Sequence, residues 1–589
     1  MTCPKCGKEI RDGAKFCGHC GAKISGTPAP APAPAKTGSR RVLLLVLALV
    51  LVLLAAAAFV FFRMRGNSTP GSSAPGSTAD NTGGGLSSVL PGGSSPAASG
   101  SSWYTAFYDN TSQSYALLPM DGDHTPLPLS TIVYGDSSYD GTAGYVPEAQ
   151  FSPDGKYVFF YSTDANGQNI QLLRAECSKM TTDMDTNLGL CTVVAAGWFY
   201  DSLTPLDDGT LLFYDDASSA LFYFDGSSTS QILYDVSYYS LGADGYLLGS
   251  DYNSIQGVSL SAPGTTQILD DDVEYLFSID DSGALYYKND NLYHIGTDHT
   301  PRLLAENPTL SDSSYDTLYY LTGEDGDQTL FRVKGGVVSQ IAEHVMDVES
   351  DIEDTGHDIM NYITQDADST VTSHLLDVTT GKSASITEDI ATALTDQLWG
   401  EVSSAKIYIT DSYLYAFITD EIFTDRFFAA TLANGTARNF ELISEDLHPL
   451  GQVENTVYAT DQVIDLYGSS SSLETPVTLY SIKNRKATPA ASNVLPASLD
   501  IYSDGTILAA TGVNTHGYDY MLFRAVKGPV VLDSNIYGID YLGNNQVLYR
   551  SMGSLYLYDG KSSKELLDYA AYFWCPTSIT PALTTGIYD

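Results

Sequence analysis

The chain has 589 residues and a formal net charge of −42 at pH 7. Because this length exceeds one ordinary hydrophobic core, several folded units are expected. The charge is uneven, since residues 66–589 hold 19 basic and 69 acidic side chains, a net charge of −50. Such an acidic segment repels nucleic acid and anionic lipid surfaces, and we therefore predict neither as its partner.

The first 24 residues carry four cysteines in two pairs with two residues between the members of each pair. They are Cys3, Cys6, Cys17 and Cys20. Four thiolates match the tetrahedral preference of zinc and leave no position for a substrate, which predicts a structural zinc site. The segment resembles the short bacterial zinc ribbons that begin CPxCG and end FCxxCG, which implies a compact ribbon over residues 1–24. His19 is an alternative ligand, and a redox role is an alternative use of the pairs.

A Pro/Ala-rich linker over residues 25–41 leads into an unbroken apolar stretch, residues 42–62. At ~1.5 Å per residue, a helix of that length spans roughly the 30 Å core of a bilayer. Eight basic and two acidic residues precede the stretch, which predicts a cytoplasmic N-terminus and an extracytoplasmic C-terminal body. The alternative is a cleaved secretory signal, but the long leading segment favours an uncleaved, single-pass anchor in the cell membrane.

Residues 66–102 consist almost entirely of Gly, Ser, Pro, Thr and Ala. A segment of this composition cannot bury a core, so we predict a flexible stalk between the apolar helix and the body. The body, residues 103–589, then repeats one pattern. A turn with Asp or Asn and Gly leads into an aromatic-rich strand, which a second and a third strand follow.

The repeated turns are marked by acidic or amide residues about 36 to 54 positions apart, a spacing near that of propeller blades. They include Asp154, Asp208, Asp244, Asp281, Asp504 and Asn544. A period near 40 residues made of short antiparallel strands is typical of β-propeller blades. We therefore predict an all-β body of about ten or eleven blades, although ordinary rings have ~4–8. The body forms either one large irregular ring or two packed rings, with any boundary within residues 345–440, and a pair of β-sandwiches is the competing fold.

One copy of the repeat carries a family likeness. FSPDGKYV, residues 151–158, is similar to the motif of TolB-like and WD40-like propellers. The absence of the GH and WD dipeptides favours the TolB-like kind. In that motif Ser, Asp and Gly serve the turn between strands, so the resemblance implies structural roles for Asp154 and Gly155.

The sequence offers few catalytic signals. It lacks the GxSxG, HExxH and GxxxxGK[ST] motifs. Only His294 and His299 approach metal-ligand spacing in the body, and single histidines on loops are usually solvated. The acidic run from Asp347 to Asp358, DVESDIEDTGHD, is a calcium candidate because its oxygen ligands are spaced by two, but it lacks the spacing of a known calcium loop.

The 41 tyrosines suit both blade cores and recognition surfaces. Four of them, clustered in pairs, are candidates for a binding face: Tyr238, Tyr239, Tyr569 and Tyr572. Cys177 and Cys191 are either a disulfide that closes a hairpin tip or two unpaired buried thiols, and Cys575 has no evident partner.

These observations predict a membrane-anchored, non-catalytic binding or scaffold module for cell-envelope proteins or glycans, with its zinc ribbon in the cytosol. The alternative from another class is a propeller hydrolase or lyase with an active site in the axial funnel, where acids from several blades meet. Signalling across the helix is a third hypothesis, which the flexible stalk disfavours.

Overall fold

A computed structural model of the chain describes residues 103–585 with several gaps. The gaps are 110–111, 113, 132–147, 164–168, 198, 200–201, 252, 315–316, 350–358, 368, 387–401, 421–424, 465–474, 515–516, 524–527, 571 and 577. The zinc ribbon, linker, apolar helix and stalk predicted before residue 103 lie outside the described residues. Their boundaries therefore remain predictions.

The described residues are organised as groups of four antiparallel strands, and we call each group a unit. Unit 1 contains β1 (Tyr104–Asp109), β2 (Ser114–Pro119) and β3 (Leu127–Thr131), and unit 2 contains β4 (Gln150–Phe151), β5 (Tyr157–Thr163), β6 (Ile170–Glu176) and β7 (Thr192–Ala196). Unit 3 contains β8 (Leu203–Pro205), β9 (Leu211–Asp215), β10 (Ala220–Phe224) and β11 (Thr229–Leu233). Unit 4 contains β12 (Tyr238–Leu241), β13 (Tyr246–Ser250), β14 (Ile255–Ser259) and β15 (Gln267–Asp270).

The next units follow the same plan. Unit 5 contains β16 (Tyr275–Asp280), β17 (Gly283–Lys288), β18 (Asn291–Ile295) and β19 (Pro301–Glu306), and unit 6 contains β20 (Thr309–Ser314), β21 (Thr317–Glu324), β22 (Asp327–Lys334) and β23 (Val337–Glu349). Unit 7 contains β24 (Ile359–Gln365), β25 (Val371–Asp377) and β26 (Ser383–Ile386). Unit 8 contains β27 (Val402–Ile409), β28 (Tyr413–Asp420), β29 (Asp425–Ala433) and β30 (Thr436–Ser444).

The C-terminal part completes the series and adds two strands. Unit 9 contains β31 (His448–Val453), β32 (Thr456–Thr460), β33 (Val477–Lys483) and β34 (Lys486–Val494), and unit 10 contains β35 (Asp500–Ile501), β36 (Ile507–Asn514), β37 (Gly517–Phe523) and β38 (Val530–Gly543). Unit 11 contains β39 (Gln546–Ser551), β40 (Ser554–Tyr558) and β41 (Ser563–Leu567). The two further strands are β42 (Tyr572–Trp574) and β43 (Leu583–Thr584). The prediction of an all-β body is confirmed, and its repeats number eleven.

Two long strands each belong to two units. The first half of β23 pairs with β22 and its second half pairs with β24. In the same way, β38 pairs with β37 and then with β39. As a result, strand pairing runs without interruption from β20 to β30, across the region that the sequence marks as least regular.

The recurring Asp–Gly turn joins the first and second strands of a unit. Asp154, Asp208 and Asp504 each accept a hydrogen bond from the backbone N–H two residues later, at 2.8 to 3.1 Å. Gly155 has φ +68°, a backbone conformation that favours glycine because it has no Cβ. The structural role expected of this motif is thereby confirmed. In unit 5, however, Asp280 rather than Asp281 accepts this bond.

Each unit is apolar on both faces because it packs between two neighbours. In β5, five of seven residues are buried. Tyr286 of unit 5 packs against Leu248 of unit 4, while the adjacent Leu285 packs against Tyr320 of unit 6. Successive residues of one strand thus face opposite neighbours, which explains the continuous aromatic and aliphatic runs in the sequence.

Hydrophobic clusters continue this pairwise packing along the whole series. Nearly every cluster joins two consecutive units, and one larger cluster joins units 1, 2 and 3. A further cluster joins unit 11 to unit 1, with Leu548 and Leu555 packed against Phe107 and Leu118. The contacts of the described residues therefore form a closed, propeller-like circuit.

A strand from the C-terminal end of the body also pairs with unit 1. The strand β42 pairs with β1, and the register sets Ala106 opposite Trp574 and Tyr108 opposite Tyr572. It supplies the strand that unit 1 would otherwise lack, so unit 1 combines three strands from the start of the body with one from its end. Thr105 donates a hydrogen bond to the Trp574 carbonyl oxygen at 2.8 Å.

Helical structure is sparse in the described residues. One α-helix, α1 (Met184–Leu190), lies between β6 and β7, and 3₁₀ turns cover Cys177–Lys179 and Pro496–Ser498. None of these helices is long and apolar enough to cross a membrane. The segment predicted to do so, residues 42–62, lies outside the described part of the chain.

The two cysteines beside α1 are reduced thiols, so the disulfide alternative is not formed. Cys177 is buried in the core that units 1 to 3 share, and Cys191 packs against that core. Burial raises the pKa of the Cys177 thiol, and it raises the pKa of Cys191 to about 11. Both groups are therefore protonated at neutral pH and act as small apolar side chains.

Candidate binding surface at the circuit closure

The strands that close the circuit also gather exposed aromatic side chains. Tyr537 lies in β38 ahead of the turn at Asn544, and Tyr572 begins β42. Their side chains are 52% and 44% exposed, respectively.

Arg550 connects these two tyrosines. Its position in β39 is paired with Gly538, next to Tyr537. The guanidinium carbon lies 5.3 Å from the Tyr537 ring centroid and 5.7 Å from that of Tyr572, which are cation–π distances. Partial burial lowers the pKa of Arg550, but guanidinium groups keep their charge at neutral pH.

The segment before β42 borders the same place. The Ala570 N–H donates to the Gly553 carbonyl at 2.7 Å, and Arg550 donates to the Ala570 carbonyl at 3.5 Å. These bonds hold Tyr569 close to the turn at Met552, and both side chains are more than half exposed. We call Tyr537, Arg550, Met552, Tyr569 and Tyr572 the closure cluster.

The sequence identified only part of this surface. Tyr569 and Tyr572 were candidates, and they lie in the closure cluster. Tyr238 and Tyr239 lie in unit 4 instead, where the Tyr239 hydroxyl is 3.5 Å from the Thr204 hydroxyl and the ring packs into the core. The structure therefore does not bring the two predicted tyrosine pairs together.

Sequence reasoning missed Tyr537 and Arg550 because their contacts with Tyr572 depend on the closing strand. Neither residue stands beside another exposed aromatic residue in a loop. The local signal was a tyrosine near the start of a first strand, and that signal is common in this chain.

No group of three His, Cys, Asp or Glu side chains in the part of the chain that the structure describes is arranged to hold a metal ion. Three His–carboxylate pairs occur among the described residues, in different parts of the body: His299 with Asp244, His344 with Asp327, and His448 with Asp425.

The other predicted sites stand apart from the closure cluster. The zinc ligands Cys3, Cys6, Cys17 and Cys20 lie outside the described residues. Of the acidic run proposed to bind calcium, the structure describes residues 347–349, at the end of β23. Asp347 accepts a hydrogen bond from the Val348 N–H at 2.9 Å. The remainder of that acidic run also lies outside the described residues.

Comparison with known proteins gives one family match. Residues 2–24 match the zinc-ribbon domain model. This segment is therefore similar to zinc-ribbon domains. Among curated protein sequences, none matches the chain.

Several solved propeller structures align with the chain. The β-propeller domain of the Trilobed protease from Pyrococcus furiosus is 10% identical, with 57% of this chain and 98% of that chain covered and a TM-score of 0.21. The tricorn protease is 10% identical, with 80% and 62% covered and a TM-score of 0.19. TolB from Acinetobacter baumannii is 10% identical, with 51% and 80% covered and a TM-score of 0.19. Since these scores are low, the fold assignment depends on strand pairing and packing instead.

His294 and His299, which the sequence pairs loosely, have different surroundings. His299 is 3.0 Å from Asp244 and stacks on Tyr246. His294 is only 5% exposed at the boundary of units 5 and 6, and its Nε2 has no hydrogen-bond partner. A Cβ added at Gly336 would lie 2.2 Å from the His294 ring. The backbone at Gly336 therefore packs directly against that ring.

Burial and the nearby Arg302 lower the pKa of His294 from its ordinary value of 6.5, against the opposing effect of Asp280 and Asp298. The native state therefore favours the neutral ring, and its stability falls as pH drops below 6.5 toward the lowered native pKa.

We predict that His294→Gln flattens the decline in unfolding free energy between pH 7 and pH 5 by up to about 1.4 kcal/mol per pH unit. The measurement is urea unfolding of the full chain across that range. His344→Gln is the control, since His344 is exposed and Asp327 raises its pKa. Equal slopes for the wild type and His294→Gln contradict this prediction.

Proposed function

We propose that the chain is a membrane-anchored binding module whose extracytoplasmic body is a single eleven-bladed β-propeller. Support for one ring comes from the contacts of unit 11 with unit 1, made both by side-chain packing and by β42. Two separate rings would each require their own closing contacts. Among the hydrophobic clusters of the described residues, only that of units 11 and 1 joins units distant in the chain.

The anchor is the apolar stretch over residues 42–62, with the ribbon in the cytosol and the body outside. The excess of basic residues before that stretch supports this orientation, and the net charge of −50 beyond residue 65 suits an exposed, soluble domain. The Gly/Ser/Pro-rich segment over residues 66–102 separates the body from the membrane.

Zinc holds the cytosolic ribbon together through Cys3, Cys6, Cys17 and Cys20. The donor set fits the metal, because four thiolates in two CxxC pairs form a closed tetrahedral site. A segment of 23 residues is too short to build a hydrophobic core, so its folding depends on the ion. The ion has a structural role and leaves no open position for chemistry.

The binding role rests on one observation, the closure cluster. Tyrosine and arginine are the residues that most often carry binding energy at interfaces, since they offer large contact areas and hydrogen bonds at little entropic cost. Here Arg550 is held between two exposed tyrosine rings, so its charge and donors are already oriented. The partner we propose is a cell-envelope protein or glycan.

We predict that a photoreactive phenylalanine analogue at position 572 forms an adduct with an envelope component in intact cells. The same analogue at Tyr234, which is 55% exposed in unit 3, serves as the matched control and yields none. Adding Tyr537→Ala to the position-572 variant reduces the adduct about fivefold, because Arg550 loses one ring that positions it. Equal labelling from both positions, or no adduct from either, contradicts the binding role.

A second experiment tests the anchor and the zinc ribbon. Protease added to intact cells is expected to cut the stalk and leave a membrane-held N-terminal fragment with about one zinc ion. Combining Cys3→Ser with Cys17→Ser removes the zinc, whereas Cys177→Ser, which changes a buried thiol of the body, does not. A stalk that the protease cuts in permeabilised cells but not in intact cells contradicts the orientation. Zinc retained in the double variant contradicts the ligand assignment.

A further inference from the structure

Unit 7 differs from the other units in its outer strand. In ten of the eleven units, the pairing of the last two strands contains a register shift. Such bulges twist an edge strand and discourage further strand pairing. The pairing of β25 with β26 has no shift. The edge of unit 7 is therefore the one without this protection among the described strands.

This flat edge contacts the next unit directly. Ser385 of β26 pairs in parallel with Thr436 of β30, and the Ser385 N–H donates to the Gly435 carbonyl at 2.8 Å. The two side-chain hydroxyls are 2.9 Å apart. Contact between outer strands fixes the separation of units 7 and 8 at that point.

A cavity of about 350 Å³ lies at this junction, and we call it the seam cavity. Its volume is at the lower end of the range for small-molecule sites, ~300–1,000 Å³. Leu432 provides apolar surface above the buried Ile409, while the polar lining includes Lys382, Thr410, Asp411 and Asn434.

The charged groups of the seam cavity come from units 7 and 8, and a side chain of unit 9, outside the lining, bonds to both. Lys382 lies in the turn before β26, Asp411 in the turn after β27, and Asn455 in the turn after β31. The Lys382 ammonium lies 2.9 Å from Asp411 and donates to the Asn455 side-chain oxygen at 3.1 Å. Asn455 also donates to the second Asp411 oxygen at 2.6 Å. The carboxylate is thereby fixed in place at the edge of the cavity.

We propose that the seam cavity binds a neutral, polyhydroxylated ligand of one or two sugar rings. An ammonium has three donors, of which the contacts above use two, and each carboxylate oxygen has a further lone pair. Adjacent hydroxyls of a sugar both donate and accept, so they bond to these groups without breaking the ion pair. The carbon face of the ring contacts Leu432.

The charge pattern favours a neutral ligand over an ionic one. The net charge of the body, −49, repels anions, and Lys382 is already neutralised by Asp411. A zwitterion such as an amino acid would contact both the Lys382 ammonium and the Asp411 carboxylate only by breaking the ion pair between them. Lys382 and then Asn455 lower the pKa of Asp411, which therefore stays an acceptor at neutral pH.

The test is calorimetric titration of the full chain in lipid nanodiscs with maltose, cellobiose and N,N′-diacetylchitobiose, and with L-alanine as the zwitterion. We expect saturable binding of at least one disaccharide, weakened about tenfold or more by Asp411→Ala. The matched control is Glu441→Ala, which removes the carboxylate of another ion pair, Arg485–Glu441 at 2.9 Å, and leaves the affinity unchanged.

Ser383→Phe provides a second variant should Asp411→Ala not fold. Ser383 is exposed at the cavity, so a phenyl ring there fills the space without changing the ion pair, and the sugar affinity is again lost. Binding of L-alanine alone, binding of none of the disaccharides, or undiminished sugar binding by Ser383→Phe overturns the proposal. Tyr537→Ala leaves sugar binding unchanged, which separates this site from the closure cluster.

Discussion

The pairing of β42 with β1 is the interaction on which the rest of the body depends. Eleven units stack face to face, and every unit inside such a series covers both of its apolar faces. The first and last units would each leave one face uncovered, and unit 1 would also lack a strand. Three residues, Tyr572–Trp574, supply that strand, and the packing of unit 11 against unit 1 covers the remaining faces.

Local sequence signals were enough to predict the units but not their closure. The Asp–Gly turns can be recognised in the sequence because their contacts are local. The Asp carboxylate accepts a hydrogen bond from the backbone N–H two residues later, and the glycine with positive φ stands at a fixed position beside it. Residues 151–158 show this pattern completely. By contrast, β42 is three residues long and pairs with a strand more than 460 positions earlier, and nothing local marks it.

The binding sites were harder to predict for the same reason. Tyr572 was identified because it lies near Tyr569, whereas Tyr537 and Arg550 join it only through the closed circuit. The seam cavity combines turns of two units, and Lys382, Asp411 and the supporting Asn455 are spread over more than 70 positions. Neither site follows from residue type and spacing. Both require knowing which units are neighbours, and the seam cavity also requires knowing where an outer strand lacks its bulge.

The central claim, that the end of the body closes on its beginning in one register, is tested most directly by a cross-link. One step beyond the Ala106–Trp574 pair, the register sets Thr105 opposite Cys575, and opposed antiparallel positions lie within disulfide range. The account predicts that Thr105→Cys forms a disulfide with Cys575 on mild oxidation, detected by mass spectrometry, and that adding Cys575→Ser abolishes it. Failure of the Thr105→Cys chain to form that link while it remains folded would contradict the closed circuit.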